Sequence, residues 1–584
     1  MTGIIRSVLL LSATVTVTLF SLPVQAQLTV ANVQRYQVIQ RDTSSAIATF
    51  VDSGTCRSGT AKIQLLLQKQ NDNTIVGSFS WIDLTNVSVS GTSWKATMTG
   101  LPVGGEYKAQ FRALNGSGTV TDSSTVLQNL LVGDIWLCAG QSNMQGQGGA
   151  TLDAAHVHTL LTPGLGGSGT TQWGTSPTLG PTVSMGNRLY SLTGVPIGII
   201  YAAAGGTGLT DWFFASGTNL FTTMSKFVRT SVGWKIGGFL WYQGENEDQQ
   251  DTWASRYFIR FGKMRDSIRS LSDNAKLPTI NVQLESWDGV SDYPLDPYSR
   301  WIRWPIIRDQ QELAGRADPY SACAPIWNAP GIHINAANEA LLGTYCAATA
   351  VRRFYQNRAV DPGAGPLFKQ AWFQDSTRTG IVVQFQGVKG RIINPADPNH
   401  LGFYVMKPSV FNINDSTIFD YSTDSYGKPA KMLKAISSVE TSGTDRVIVH
   451  LTAATTDSVT IGYGRHIQLV SLSPLTDSSG IPVCTFFNRP IALSPQTAMK
   501  KADAPVRSSF IHLQKSTLHI TRYDSDAPAI ISIHRLNGML VSRFCTRRNT
   551  VNLKDIKGHG MYFIIVSLQD KRASIKVNIN SSNK

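Results

Sequence analysis

Val132-Gly-Asp-Ile-Trp-Leu-Cys-Ala-Gly-Gln-Ser-Asn-Met144 is the stretch on which the reading of this chain turns. Its apolar run, Ile135 to Cys138, predicts a short buried strand. The run ends abruptly in Ala139-Gly-Gln-Ser-Asn143, where small residues let the backbone turn sharply. That turn leaves the Ser142 hydroxyl at the strand's C-terminal edge, the edge at which open α/β sheets bind ligands. Ser142 is therefore a candidate nucleophile, and it needs a base and oxyanion donors from elsewhere in the chain.

Outward from this motif, Ile197–Tyr201, Phe239–Tyr242 and Thr279–Leu284 predict further buried strands. Trp253, Tyr257, Phe258, Phe261, Met264 and Ile268 recur at spacings of three and four or close to them, the pattern of an amphipathic helix. A second helix is expected from about Ala336 to Tyr355, with Leu341, Leu342, Cys346 and Val351 on its apolar face. Strands alternating with helices predict a parallel sheet covered on both faces, over residues 130–355.

Both flanks read as β structure. In residues 27–129 the runs Ala48–Val51, Ile63–Leu67, Trp94–Met98 and Tyr107–Phe111 alternate between Gly, Asn, Asp and Ser clusters, predicting a small β-sandwich. In residues 356–494 the runs Gly380–Phe385, Arg446–Leu451 and Ser458–Tyr463 predict a second one. Residues 495–507 read as a linker, and 508–584 as a further β domain with a turn at Asn537-Gly538.

The totals fit this multidomain reading. A chain of 584 residues exceeds one ordinary domain. Hydrophobic residues make up 42% and charged residues 15%, as in a folded protein. The net charge of +14 is spread without a basic stripe interleaved with aromatics, so nucleic acid is not an expected partner. Residues 1–26 read as an export signal: Arg6, an apolar stretch from Val8 to Leu22, and Val24-Gln-Ala26 as the cleavage site. Ser12, Thr14, Thr16 and Thr18 make that stretch a poor membrane span, and none is expected in the mature, exported protein. Six cysteines are too few for a disulfide scaffold; Cys323 and Cys346 either bridge or remain separate buried thiols. No Cys/His cluster has zinc-site spacing, and neither metal nor cofactor is expected.

Acyl transfer by a serine needs a base, oxyanion donors and usually an orienting group. Gly205-Gly-Thr207 follows one predicted strand and offers unobstructed backbone N–H groups. Gln243-Gly-Glu-Asn246 follows another and offers an amide from Gln243 or, as the second choice, Asn246. Gly331-Ile-His-Ile-Asn335 precedes the last helix and supplies the imidazole of His333. Singly, a Gly-Gly pair is usually a turn and a lone histidine is more often structural; together at strand ends they form a constellation.

With Trp212, Trp241-Tyr-Gln-Gly-Glu245 and Ile307-Arg-Asp-Gln-Gln311 added, these strings resemble the sialate O-acetylesterase-like branch of the SGNH hydrolases. That branch includes the carbohydrate esterase family 6 acetylxylan esterases. The resemblance covers about Leu131 to Tyr355, and extends to Gly480-Ile-Pro before Phe486-Phe487 in the flanking β region. It implies a flavodoxin-like three-layer fold, with Ser142 as nucleophile and His333 as base. The oxyanion hole would comprise the Ser142 N–H, the Gly205 and Gly206 backbone, and Gln243 or Asn246. Most of Trp212, Trp241, Trp287, Trp301 and Trp304 belong to the core on burial statistics, with Trp212 the candidate for the substrate rim. The implied substrate is an acetylated carbohydrate, xylan-like or sialic acid.

One departure stands out. The family carries Asp three residues before its histidine, and here Pro330 occupies that place in Asn328-Ala-Pro-Gly-Ile-His333. Either serine and histidine work as a dyad with a backbone carbonyl holding the imidazole, or another acid substitutes. Glu245 is the first candidate, its competing role being to hydrogen-bond active-site loops; Asp248 and Asp318 follow. The alternative for the whole chain is a non-catalytic carbohydrate-binding or adhesive protein on a degenerate esterase scaffold. Finally, Leu536-Asn-Gly538, Val551-Asn-Leu553 and Gly560-Met-Tyr-Phe563 resemble type IX secretion sorting domains over about Ser508 to Ile579. That resemblance implies secretion or surface display through a secretion machinery; the competing reading is a plain accessory β domain.

Overall fold

The computed structural model describes residues 28–286 except 43–44, 147, 149, 167–170, 176–179 and 218, and residues 303–355 except 328 and 330. It also describes 365–494 except 395–401, 407–432, 457 and 465–473, and the strands within 511–579. The export-signal segment and the linker lie outside the described residues, as do Trp287, Trp301 and Pro330. The chain divides into two compact units, Met1–Tyr293 with Leu313–Ala364, and Pro294–Glu312 with Gly365–Lys584.

In the first unit, six parallel strands carry the motifs: β1 (Leu127–Gly140), β2 (Val157–Leu161), β3 (Ile197–Ala203), β4 (Gly238–Tyr242), β5 (Thr279–Gln283) and β6 (Ser321–Pro325). Their order is β2-β3-β1-β4-β5-β6, with every neighbouring pair parallel. Without the edge strand β2, this is the 2-1-3-4-5 order of flavodoxin-like sheets, with β1 at the switch point where the winding reverses. β2 and β6 are two strands that hydropathy patterning alone did not reveal. His158 and Thr159 interrupt one of them, and Ser321-Ala-Cys-Ala-Pro325 in the other is too weakly apolar to stand out.

Among the helices of this unit are α1 (Ser142–Gln145), α2 (Thr182–Thr193), α3 (Leu220–Val232), α4 (Tyr257–Leu271) and α5 (Ala336–Ala350). The sheet is covered on both faces. On one, Gly186 of α2 sits against Val157 and Ile199; on the other, Phe261 of α4 stacks on Phe239 and Trp241. The register aligns Ile199 with Trp136 and Gly238, and Phe239 is one residue on, so these contacts lie on opposite faces. Gly238 is required there, since a Cβ would stand 2.6 Å from the Trp136 ring.

The N-terminal β region is not separate from this sheet. β1 is long enough to pair through Leu127–Val132 with the antiparallel strand Gly104–Asn115, and through Asp134–Gly140 with β3. One eleven-stranded sheet results. Alternation in Thr60–Lys69 buries Ile63, Leu65 and Leu67 around Trp94 and Phe111.

In the second unit, one four-stranded sheet pairs Leu367–Phe373, Gly380–Gln386, Arg446–Leu451 and Ile436–Ser442. Another contains Phe403–Met406, Thr460–Tyr463 and Phe486–Pro490. The helix Trp304–Gly315 contributes its residues up to Glu312 to this unit. The Ile307–Gln311 string is structural here: Arg308 donates to Gly464 O, and Asp309 and Glu312 both pair with Arg489. Residues beyond 510 form antiparallel sheets, among them Leu540–Thr546, Ala529–Arg535, Gly560–Leu568 and Lys571–Ile579. Cys323 and Cys346 are free buried thiols, so of the two readings the separate-thiol one holds. No helix among the described residues is long and apolar enough to cross a membrane.

Candidate active site

The site assembles where β3, β1 and β4 end. Ala204 N donates to Gly140 O (3.0 Å), and Gln141 N donates to Tyr242 O (3.0 Å). A Cβ on Gly140 would stand 1.9 Å from Tyr242 O, so only glycine allows this approach just before Ser142. Ser142 opens α1 and is half-buried. Gly205, at the end of β3, lies against it: a Cβ there would stand 2.9 Å from Gln145 Oε1 and 3.7 Å from Ser142 Cβ. Gly205 and Gly206 are both exposed.

His333 is brought to this corner by the residue next to the serine. Asn143 is fully buried; its Nδ2 donates to Ile332 O (2.8 Å), and its Oδ1 accepts from Ile334 N (3.1 Å). One carboxamide thus grips the backbone on both sides of His333, whose own side chain remains exposed. Two further contacts hold the segment. Gly331 N donates to Ser286 O (2.9 Å) beyond β5, and Asn335 caps α5 by accepting from Asn338 N (3.0 Å). The loop after Ser142 meets the same helix, with Gly148 N donating to Glu339 Oε2 (3.0 Å).

Glu245 backs the clamp. Its Oε1 accepts from Asn143 Nδ2 at 2.6 Å. Gln141, with its amide turned so that Nε2 donates, reaches Glu245 Oε2 at 3.0 Å. Burial pushes the Glu245 carboxyl up to about 7, against the hydrogen bonds from Asn143 and from the backbone. Both carboxylate oxygens are engaged with amides, so Glu245 is placed to hold active-site loops rather than to orient the imidazole. Among the described residues no carboxylate is hydrogen-bonded or ion-paired to His333. Asp318 is ruled out by position: it lies just before β6, at the opposite end of the sheet, and grips Arg269. Asp248 is buried in the Glu245–Gln249 turn.

Two expectations need correction. Gln243 is fully buried, and its Nε2 is directed to Thr207 O and Glu247 Oε1 (3.4 Å each). Asn246, half-buried beside Gly208, is the side-chain amide of the pair with reachable surface. Trp212 forms no rim. It is fully buried, donates through Nε1 to Thr207 Oγ1 (2.9 Å) and packs edge-on against Trp241. Its indole N–H needs a partner once buried, and Thr207 supplies one. The residues of this corner that the sequence did not single out are Asn143, Gln141 and Glu247. Asn143 and Gln141 had a readable signal, amides at a strand end beside a candidate nucleophile; Glu247 had none, because its partners are remote in sequence.

A family model described as carbohydrate esterase, sialic acid-specific acetylesterase matches residues 168–351, less than half of the chain. The fold is similar to that of a carbohydrate acetylesterase from Xanthomonas citri, with a TM-score of 0.55 and 19% identity, covering 79% of this chain and 99% of that one. A protein from Arabidopsis thaliana is similar at 20% identity and a TM-score of 0.31, over 38% of this chain and 99% of that one. A salicylyl-acyltransferase from a tetracycline biosynthetic pathway aligns at 10% identity and a TM-score of 0.24, over 50% of this chain and 80% of that one. No curated protein matches the sequence. The family model supports an esterase, and the Xanthomonas citri likeness is one of fold.

Proposed function

We propose that this chain is an exported carbohydrate O-acetylesterase working through a Ser142–His333 dyad. The observation that carries the reading is the Asn143 clamp, which ties the residues on both sides of His333 to the residue following Ser142. Ser142 Oγ attacks the acetyl carbonyl carbon while His333 accepts its proton. The backbone N–H groups of Ser142 and Gly205 or Gly206, with the Asn246 amide, receive the charge that develops on the carbonyl oxygen. Collapse expels the sugar oxygen, which takes the proton from His333 and leaves acetyl-Ser142. Water, losing a proton to His333, then releases acetate and restores the serine. A dyad without an orienting acid is expected to be slower than a full triad, since nucleophile and oxyanion donors still contribute.

The family match at residues 168–351 supports an acetylated carbohydrate as substrate. The signal-like segment 1–26 and the sorting-like segment 508–584 support export or surface display, and a polysaccharide such as xylan then fits better than free sialic acid. The test is hydrolysis of p-nitrophenyl acetate by wild type and Ser142→Ala, followed by acetate release from acetylated xylan, pectin and sialic acid. Activity in the wild type alone is the expected result. A folded wild type inert on every substrate would overturn the esterase reading, and activity kept by Ser142→Ala would overturn the nucleophile.

A further inference from the structure

We propose that Glu247 and Arg260 are positioning residues, forming a brace that fixes the Gly205–Thr210 loop so that its backbone donors stand ready over Ser142. The inference rests on the esterase reading above.

The loop's own ties are local. It begins with two exposed glycines, Gly206 with a left-handed φ of 70°; Thr207 Oγ1 donates to Ala204 O and accepts from Trp212 Nε1, and Gly208 N donates to Asp211 Oδ2. Its tie to the turn after β4 and to α4 runs through Leu209–Thr210, and both residues are held by the brace. Glu247 Oε1 accepts from Leu209 N at 2.6 Å and also lies 3.4 Å from Gln243 Nε2. Its Oε2 is ion-paired with Arg260 Nη1, and Arg260 Nη2 donates to Thr210 Oγ1. One carboxylate thus joins the loop after β3 to the turn after β4, the two segments that supply the oxyanion donors. Gly208 closes the joint: a Cβ there would stand 2.8 Å from Glu247 Oε1.

The other end of the brace is rigid. Arg260 projects from α4, whose Tyr257 and Phe261 pack against the sheet, and its guanidinium lies over the rings of Phe214 (5.0 Å) and Trp253 (5.6 Å). Glu247 is fully buried, and a buried charge is tolerated only when paired and hydrogen-bonded. Cutting either partner therefore loosens the loop at Leu209–Thr210, leaving only its local ties. Neither group is placed to touch the reacting atoms, so its effect on rate runs through donor geometry, where small misplacements are costly.

The experiment compares wild type, Glu247→Ala, Glu247→Gln and Arg260→Lys on p-nitrophenyl acetate, with active sites counted by a serine-directed fluorophosphonate. The same proteins are titrated with an alkyl boronic acid, which mimics the tetrahedral oxyanion. The expected result is a kcat loss of roughly 10- to 100-fold for Glu247→Ala, with KM within about twofold and boronate affinity falling in parallel. Glu247→Gln and Arg260→Lys, which keep part of the brace, should lose less, in that order. Should Glu247→Ala fail to fold, the split between kcat and KM in the two milder variants decides. Wild-type kcat and boronate affinity per counted site, with only the melting temperature lowered, would overturn the brace while leaving the esterase reading intact. A wild type without activity or labelling would overturn the reading beneath it.

Discussion

Asp318 and Glu245, at opposite ends of the parallel sheet, are held in opposite ways. Before β6, Asp318 is held by Arg269 and Arg265; near the start of the parallel part of β1, Asp134 makes two 2.8 Å bonds with Arg41. Burial alone would raise Asp318, but the hydrogen bond and charge of Arg269 hold it below the usual carboxylate range. At the C-terminal end, Glu245 is fully enclosed with amides as partners, and burial pushes it up to about 7. The first arrangement is a neutralised structural joint. The second keeps a poorly solvated acid against the amide that grips the backbone on both sides of His333.

The largest effect belongs to Ser142→Ala, with esterase turnover down by on the order of 10³- to 10⁶-fold and the melting temperature nearly unchanged. Asn143→Ala comes next: releasing both neighbours of His333 should lower kcat by roughly 100-fold while KM stays close to wild type. Equal kcat for Asn143→Ala and wild type in steady-state assays would remove the clamp from the mechanism.

Glu245→Gln keeps an acceptor for Asn143, so its kcat loss should stay below about tenfold. Its thermal unfolding is more telling. An acid whose folded pKa is raised binds protons more tightly when folded, so wild-type stability should fall as pH rises from about 4.5 through about 7. Asp52, raised to about 6 by burial, adds a component of the same sign. Subtracting the Glu245→Gln curve isolates the Glu245 share, at most about 3 kcal/mol. A flat difference between the two curves would show that Glu245 is ionised throughout.

Asp318→Asn should have the smallest effect on rate, with kcat within about twofold of wild type. Stability should drop by roughly 1–3 kcal/mol, because Arg269 loses its counter-charge in a largely buried site. The sign at this end is reversed: the lowered Asp318 contributes stability above its unfolded pKa, and that contribution is lost as pH falls through the folded one. A large kcat loss in Asp318→Asn would erase the distinction between the two ends.

Much of this was readable from the chain. Apolar runs predicted β1, β3, β4 and β5, because strands buried on both faces are continuous in sequence. The periodic residues from Tyr257 to Ile268 lie in α4, and the helix expected from Ala336 begins there as α5. The interrupted strand β2 and the small-residue strand β6 escaped, since their burial comes from the sheet around them. So did the burial of Gln243 and Trp212, which local pattern presents as accessible polar and aromatic groups.

What the sequence determined by itself was the list of chemical parts and their places at strand ends: Ser142 after β1, Gly205-Gly206 after β3, Glu245 and Asn246 after β4, and His333 before α5. Those placements follow from local hydropathy and turn chemistry. The tertiary structure alone decided which parts meet. Asn143 reaches His333's neighbours across 189 to 191 positions, and Gln141 and Asn143 turn Glu245 away from the role of orienting acid. The physical reason is that a buried amide or carboxylate takes whatever partner folding places within about 3 Å, and sequence separation has no bearing on that distance.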